Sequence, residues 1–493
     1  MRAATRQAQR TLVRPTKHGL GVRCMGTEAS SRSGLSLPSA PSKRYTAVTH
    51  PEDPSSITPA VKELLDRSHA YILPVYARPP IVMAKGKGAY LWDVQGRKYL
   101  DFSAGIAVNA LGHGDEGVAE VMRTTASTLL HTSNVYHHEY AGKLAELLIQ
   151  LTQAEGGLGW APGSTHPVTN GTSGAKVFFS NSGTEANEGA LKVARKVGKE
   201  RWAKATGKAW DDPACDKVEI VCFERGFHGR SMGALSVTSN PKYQKPFTPL
   251  IPGVRVGQLN DTAALEGLVG EKTCAVIVEP IQGEGGINVA EVDWLRALRK
   301  RCDEVGAVLI YDEIQCGLYR TGSLWAHSTV PADAHPDIVT TAKPLANGYP
   351  IGAVLLRDNI AEVMTAGTHG TTFGGSPLAC ALGHHVMSRL SDRAFVANVK
   401  ETSDYLEARL ALLTKWFPNI LEEKVRGRGL IRGLGFKDSS HPGRVVELAR
   451  ERGVLLLTAG ADAVRLVPSL NIGVGEVGEA MEVVESCLSV LSE

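Results

Sequence analysis

Four short apolar segments, each followed by a turn or a glycine-rich loop, constrain the fold of this chain more than any other feature. They occupy residues 175–180, 217–223, 274–280 and 307–313. Segments of this kind are typical of strands that are buried on both faces of a sheet, with helices connecting successive strands. The pattern therefore predicts an α/β domain with a mostly parallel central sheet.

The segment between the last two strands indicates how a helix would cover this sheet. Apolar residues recur there at spacings of three and four, with arginines and lysines between them: Val292, Leu295, Leu298, Cys302 and Val305. This periodicity predicts an amphipathic helix with one face on the sheet. Ligands of open α/β sheets bind beyond the carboxyl ends of the strands, where the polar and glycine-rich segments of this chain fall.

The pattern divides the chain into four parts. Residues 1–45 are predicted to form a targeting leader and a disordered lead, and residues 46–102 an N-terminal segment. Residues 103–379 form the large α/β domain. Strands and helices alternate less regularly in residues 380–493, which predicts a smaller α+β domain that packs with the N-terminal segment.

Glycine and proline positions add local detail to this division. A helix is expected near residues 58–68, and Gly96 interrupts two strand-like runs and so predicts a hairpin. Two inserts, residues 156–174 and 201–216, are rich in Gly, Ser, Thr, Pro or charge. They are predicted to be surface loops.

The composition excludes several classes of protein. The 493 residues are 43% hydrophobic and 21% charged, with a formal net charge of +3, so a nucleic-acid-binding footprint is not indicated. No apolar run approaches the roughly 20 residues of a membrane-spanning helix. The eight cysteines include no CxxC pair, which argues against a zinc module and a disulfide framework. We expect a soluble protein of a reducing compartment, without a metal site, whose partners are small charged metabolites.

The N-terminus has the composition of a mitochondrial transit peptide. Six basic residues precede Glu28, the first acid, among Ser, Thr and Ala residues: Arg2, Arg6, Arg10, Arg14, Lys17 and Arg23. The alternative is a disordered basic tail. We predict removal between Arg23 and about Arg44, and hence a location in the mitochondrial matrix.

An acid and a lysine follow two of the apolar segments. Asp312 ends the strand of residues 307–313, and Lys343 lies among small residues and turns after another apolar run. Pyridoxal phosphate chemistry needs this combination, because a lysine amine forms a Schiff base with the aldehyde while a carboxylate keeps the ring nitrogen protonated. An isolated pair would more often be a strand-end acid and a surface lysine, so the neighbouring segments decide.

The segment FFSNSGTEANE carries a candidate anion site. Its strand ends at Ser180 and a helix begins near Thr184, so the amides of Gly183 and Thr184 and the hydroxyl of Ser182 or Thr184 could bind a phosphate. The alternative is a simple N-cap, which Ser and Thr supply in most helices.

Two further segments place aromatic and charged residues after buried strands. Phe227, between Gly226 and His228, could stack on a pyridine ring, although an isolated Phe is more often a core residue. Arg230 could bind a carboxylate, although an arginine is more often a surface residue. In VEPIQGEGG, Glu284 could pair with an arginine and mask it from one substrate.

These segments, together with DEIQCG, AKPLANG and HGTTFGGSP, resemble the class III, fold-type I pyridoxal-phosphate aminotransferases. The resemblance runs from about Leu73 to near the C-terminus in the family's motif order. GIAVNALGHG, SNSGTEANE and FHGR are most similar to the acetylornithine aminotransferase subfamily in its fungal mitochondrial form.

The resemblance implies a set of cofactor-binding residues. Lys343 would carry the Schiff base, Asp312 would bind the ring nitrogen and Gln315 the phenolic oxygen. Phe227 would stack on the ring, while Gly183 and Thr184 bind the phosphate. The implied cofactor-binding set is completed by Ser182, Glu313, Ile314 and, from the other subunit of a homodimer, Thr372.

The resemblance also implies the substrate-binding residues. Arg465 in VRLVPSL matches the arginine for the substrate α-carboxylate, and Glu284 the acid that masks it. Arg230 matches the second carboxylate-binding arginine, and Thr371 would lie near the substrate. Two motifs depart from the family pattern, GGSP in place of GGNP and GLYRTG in place of GxGRTG. Both departures lie beside the matched residues rather than on them.

The expected activity is transamination between N2-acetyl-L-ornithine and 2-oxoglutarate. Ornithine and 4-aminobutyrate aminotransferases share the core motifs, and an acetyl group is recognised by a pocket shape that one sequence does not reveal. A cofactor-free binding protein on the same fold is the non-enzymatic alternative. A dinucleotide-binding domain is disfavoured because no GxGxxG follows a strand, and HHEYAG lacks the second histidine of a zinc helix.

Overall fold

The computed structural model describes residues 37–42, 45–166, 168–169 and 172–493. From Leu37 to Glu493 the chain forms one compact unit. The predicted transit peptide lies almost entirely outside the described residues. Every helix in the described ranges is too short or too polar to cross a membrane. The same ranges contain no group of His, Cys, Asp and Glu side chains that could hold a metal ion.

The central sheet has seven strands in the order β4-β12-β11-β10-β7-β5-β6. All neighbours are parallel except β12, which runs antiparallel to both β11 and β4. The prediction of a mostly parallel sheet is confirmed. Its strands are β4 Ala175–Ser180, β5 Glu219–Phe223, β6 Val254–Gly257, β7 Thr273–Val278, β10 Val308–Asp312, β11 Ile338–Thr341 and β12 Gly352–Arg357.

Helices cover both faces of this sheet, and the long helices α5 and α9 each pack an apolar face made of residues three and four apart. The long helix α5 packs Ala190 and Val197 on one face of the sheet, while α9 packs Leu295 and Leu298 on the other. Val292, at the start of α9, is exposed. The helices around the sheet are α2 Ala104–Ala107, α3 Glu116–Thr128, α4 Glu139–Glu155, α5 Gly183–Thr206, α6 Met232–Ser236, α7 Pro241–Gln244, α8 Leu265–Leu268, α9 Val292–Val305, α10 Asp358–Ala361 and α11 Pro377–Leu390.

One predicted loop starts later than expected. Helix α5 continues to Thr206 and ends at Gly207, which has a left-handed φ of 70°. Residues 201–206 were therefore wrongly predicted as loop, since the helix-forming residues before Gly207 extend α5 by two turns. Insert 156–174 has only isolated bridges in its described residues, at Gly157–Trp160 and Thr169–Thr172.

The N-terminal segment forms a small sheet with a strand from the C-terminal region. Antiparallel strands β1, β2 and β3 follow helix α1, and β3 pairs in parallel with β15. Gly96 turns the chain between β2 and β3 with a φ of 80°, as predicted. The bounds are α1 Pro59–Tyr71, β1 Met83–Lys87, β2 Tyr90–Asp93, β3 Lys98–Asp101 and β15 Val454–Leu455.

The C-terminal region contains an antiparallel sheet in the order β13-β14-β17-β16. The sequence predicted a domain boundary at residue 380, and helix α11 spans that residue. The boundary therefore stays a prediction. The elements of this region are α12 Arg393–Trp416, β13 Arg426–Arg428, β14 Ile431–Gly435, α13 His441–Arg450, β16 Leu457–Ala459, β17 Ala463–Leu466 and α14 Val474–Ser492. A short hairpin and 3-10 turns complete the fold: β8 Ile281–Gln282, β9 Asn288–Val289, Pro54–Ser56, Lys245–Phe247, Ala326–Thr329, Ala332–Ala334 and Lys343–Ala346.

Candidate active site

The carboxyl ends of β10 and β11 bring the predicted acid and lysine to one edge of the sheet. Asp312 is the last residue of β10 and pairs with Thr340 of β11. Thr340 precedes Lys343 by three residues. Both side chains line a cavity of about 330 Å³, which is in the range of small-molecule sites. The other predicted residues that line this cavity are Ser182, Gly183, Thr184, Phe227, Ile314 and Gln315.

Lys343 opens a short 3-10 turn, Lys343–Ala346, directly after Ala342. Burial and, after it, the positive charge of Arg465 lower the pKa of its amine to about 8, although nearby acids oppose the shift. An amine with a lowered pKa is more often neutral near physiological pH. It can therefore act as a nucleophile or a base.

The carboxylate of Asp312 is held on three sides and is 3% exposed. Its Oδ2 accepts a hydrogen bond from Asn187 Nδ2 at 2.8 Å and lies 2.8 Å from His228 Nδ1. Its Oδ1 accepts a hydrogen bond from the Ile314 amide at 3.0 Å. Thr340 fixes Asn187 in turn, by donating to its Oδ1 at 2.7 Å. These contacts thus hold the acid in one orientation.

Asn187 and His228 were not predicted. The signal for Asn187 was present, because it lies on the apolar face of α5 with Ala186 and Ala190, and a polar residue on a buried face needs a partner. Its bond to Asp312 spans 125 residues, so the partner could not be read from the sequence.

The start of α5, the predicted anion cradle, borders the cavity. Ser182 is the N-cap, and its hydroxyl accepts a hydrogen bond from the Glu185 amide at 3.2 Å. A Cβ at Gly183 would lie 2.8 Å from Ile314, and one at Gly229 would lie 2.1 Å from the Thr184 hydroxyl. Only glycine lets the backbone pack this closely beside the cavity. The first amides of α5 remain available to an anion.

Glu279 connects the two loops that border the cavity. Its Oε1 accepts a hydrogen bond from the Phe227 amide at 2.8 Å, and its Oε2 accepts one from the Gly283 amide at 3.1 Å. Burial raises the pKa of this carboxyl to about 7. Glu279 therefore fixes both Phe227 and the loop that carries Glu284. The sequence offered one signal, an acid directly after a fully buried strand.

Arg465 lies on β17 in the C-terminal sheet, is 2% exposed and contacts Gln315 of the cavity lining. Its Nη1 donates to the Gly283 carbonyl at 2.9 Å and to Gln315 Oε1 at 3.0 Å. Its Nη2 lies 3.1 Å from Glu284 Oε2, so the predicted ion pair is formed. Burial lowers the pKa of Arg465, while Glu284 opposes the shift. Arg230 is exposed, and its guanidinium lies 3.5 Å from the centre of the Tyr243 ring.

Six predicted residues lie outside the lining of this cavity. They are the carboxylate-site residues Arg230, Glu284 and Arg465, and the residues Glu313, Thr371 and Thr372. The carboxylate of Glu313 is in the core, where its Oε1 is 2.7 Å from His327 Nδ1, because neighbouring residues at a strand end point to opposite sides. The position of the Glu313 side chain therefore does not support the predicted contact with the cofactor. Thr371 accepts a hydrogen bond from Asn181 Nδ2 at 3.1 Å, and Thr372 is exposed.

Comparison with known proteins agrees with this geometry. A family model described as Aminotransferase class-III matches residues 72–488, and the chain belongs to this family. It is a pyridoxal-phosphate-dependent aminotransferase of fold type I, as the sequence predicted.

Its relatives include proteins named acetylornithine aminotransferase, mitochondrial. The protein from Neurospora crassa is 49% identical to it, over 89% of this chain and 89% of that protein. The protein from Yarrowia lipolytica is also 49% identical, over 86% of this chain and 95% of that protein.

Solved structures with the same fold include two named aminotransferases. The ornithine aminotransferase of Toxoplasma gondii ME49 has a TM-score of 0.76 at 30% identity, over 88% of this chain and 96% of that one. The N-acetylornithine aminotransferase of Stenotrophomonas maltophilia K279a has a TM-score of 0.68 at 34% identity, over 87% and 99% of the two chains.

The residues around the cavity fit pyridoxal phosphate. The start of α5 offers amides to a phosphate, Asp312 offers a fixed carboxylate to a ring nitrogen, and Lys343 offers an amine of lowered pKa to an aldehyde. Each chemical feature of the cofactor thus meets a group of matching chemistry.

Proposed function

We propose that this protein transfers the δ-amino group of N2-acetyl-L-ornithine to 2-oxoglutarate. The products would be N-acetyl-L-glutamate 5-semialdehyde and L-glutamate, a step of arginine biosynthesis. The ion pair between Glu284 and Arg465 beside Lys343 is the observation that carries the proposal. One site must accept an amine donor and a dicarboxylate in turn, and an arginine with a removable acid can serve both.

Pyridoxal phosphate supplies an aldehyde that takes up the amino group and a ring that withdraws electrons from the reacting carbon. Asp312, held by Asn187 and His228, would keep the proton on the ring nitrogen. The Lys343 amine would move the proton at the substrate carbon. Phe227 would stack on the ring, Gln315 would bind its phenolic oxygen, and the amides of Gly183 and Thr184 would hold the phosphate.

Substrate selection would rest on two arginines. Arg230 would bind the carboxylate of acetylornithine while Glu284 masks Arg465. When 2-oxoglutarate or glutamate is bound, Glu284 would leave Arg465 free to bind the α-carboxylate. Thr371 would lie near the substrate. Each arginine can bind a carboxylate through two parallel hydrogen bonds, which fixes the orientation of the substrate.

Ornithine is the second candidate donor. The Toxoplasma gondii protein that shares the fold with a TM-score of 0.76 is named an ornithine aminotransferase. 4-Aminobutyrate is a weaker candidate because it lacks an α-carboxylate. The relatives at 49% identity favour acetylornithine.

We propose further that the enzyme is a homodimer of the mitochondrial matrix. Thr372 is exposed and outside the cavity of its own chain, so it is free to complete the phosphate site of a partner. Exposed apolar side chains, among them Tyr71, Leu73 and Phe373, would be covered by the partner. The relatives are named mitochondrial, which agrees with the composition of residues 1–45.

The substrate assignment is tested by steady-state kinetics with 2-oxoglutarate as acceptor. We expect kcat/KM for acetylornithine to exceed the values for ornithine and 4-aminobutyrate by at least about tenfold, the discrimination that about 1.4 kcal/mol of pocket contacts supplies. A higher kcat/KM for ornithine would show that ornithine, and not acetylornithine, is the donor.

The variant Asp312→Ala tests the role of the fixed acid. We expect kcat to fall by roughly two to four orders of magnitude, typical of lost proton control, while the cofactor Kd changes far less. Stopped-flow rates and cofactor titration separate the two effects. Asp333→Ala is the matched control, because that side chain is 68% exposed and is not among the residues that line the cavity. Equal losses of binding and rate in Asp312→Ala would argue against the assigned role.

Assembly and processing are tested on the protein purified from its own cells. Sedimentation velocity should give twice the mass of one chain, and mass spectrometry should find a first residue between Arg23 and about Arg44. A fully active monomer would rule out the shared site, and a chain that starts at Met1 would rule out the transit peptide.

A further inference from the structure

Tyr243 contacts two of the three groups that would sort the substrates, Arg230 and Glu284, and Glu284 links it to the third, Arg465. Its ring faces the Arg230 guanidinium, 3.5 Å from the ring centre, and meets the Phe227 ring edge-on at 6.2 Å. Its hydroxyl donates to Glu284 Oε1 at 3.3 Å, and the other oxygen of Glu284 lies 3.1 Å from Arg465 Nη2. One side chain thus connects the two arginines.

Short-range contacts fix the position of Tyr243. It lies in helix α7, where the Asn240 side chain accepts a hydrogen bond from the Lys242 amide at 3.0 Å. Gln244 Nε2 donates to the carbonyls of Leu235 and Ser236 at 3.1 and 3.3 Å. The helix is therefore anchored on both sides of Tyr243. The exposed Arg230 guanidinium lies 5.6 Å from the centre of the Phe227 ring, so the tyrosine ring is the nearer of its two aromatic neighbours.

A second cavity, of about 520 Å³, adjoins the first at Phe227. Tyr243 and Glu284 both line it, so a substrate chain that extends from the reacting carbon past Phe227 would meet them. Burial, followed by the charge of Glu284, raises the pKa of Tyr243. The hydroxyl therefore stays protonated and remains a donor to Glu284 at neutral pH.

We propose that Tyr243 is a specificity-determining positioning residue that couples the two carboxylate sites. Its ring holds Arg230 ready for the amine donor, and its hydroxyl holds Glu284 on Arg465. Both contacts favour the arrangement that accepts the donor. Binding of 2-oxoglutarate must break the bond between Tyr243 and Glu284 before Arg465 is free. The proposal rests on the proposed transamination.

Two substitutions separate the contacts. Tyr243→Phe keeps the ring and removes the hydroxyl, so KM for 2-oxoglutarate should fall by roughly three- to tenfold, the effect of one hydrogen bond to a charged group, with little change for the donor. Tyr243→Leu also removes the ring, so KM for the donor should rise by about two- to fivefold as Arg230 loses its support.

Lys245→Ala is the control, since this nearby side chain is exposed and lines neither cavity, so both KM values are expected to stay unchanged. Cofactor content and the thermal unfolding midpoint of each holoenzyme exclude a folding defect. The readout is the ratio of the two KM values, taken with the amine that the wild-type enzyme uses best. Failure of acetylornithine as a donor therefore overturns the proposed function alone.

The coupling is overturned by either of two results. One is a KM ratio in Tyr243→Phe within twofold of the wild type. The other is identical KM values in the Phe and Leu variants, since the ring and the hydroxyl would then have no separate effects. If 2-oxoglutarate is not turned over, the half-reaction with L-glutamate gives the same comparison, because glutamate also needs Arg465 free.

Discussion

The parallel pairing of β10 with β11 is the constraint on which the site depends. It aligns Asp312 with Thr340, so the acid and the start of the turn that carries Lys343 leave the sheet at the same edge. Thr340 also donates to Asn187, which donates to Asp312. The strand register thus positions the lysine and orients the acid. A slip of one residue would turn Asp312 to the other face, where Glu313 lies in the core against His327.

Groups from distant parts of the chain converge on this edge. Helix α5 contributes the anion cradle and Asn187, the strand end after β7 contributes Glu279, and β17 of the C-terminal sheet contributes Arg465. Arg465 acts on both sides of the site, because its charge lowers the pKa of Lys343 and its guanidinium pairs with Glu284. In the proposed function, Arg465 would therefore serve both cofactor chemistry and substrate selection.

The sequence predicted the features that are encoded locally. Buried strands appear as apolar runs, the phosphate cradle appears as Ser182 and Gly183 at a strand-to-helix turn, and Asp312 and Lys343 appear at strand ends. It missed side chains whose role depends on distant partners, such as Asn187, Glu279 and Tyr243. It also placed Glu313 among the cofactor-binding residues, because a motif match does not state which way a side chain points. The substrate-binding roles came from the family resemblance, and the Glu284–Arg465 pair is the part that the geometry supports directly.

The central claim is that the Lys343 amine, with a pKa lowered to about 8, is the group that attaches the cofactor. Borohydride trapping of the cofactor on the apo-protein at a series of pH values, followed by peptide mass spectrometry, tests it most directly. A lysine reacts as the neutral amine, so trapping should rise with pH through a midpoint near 8 and should map to Lys343 alone. Attachment to another lysine, or a midpoint near the ordinary lysine value of 10.5, would contradict the account.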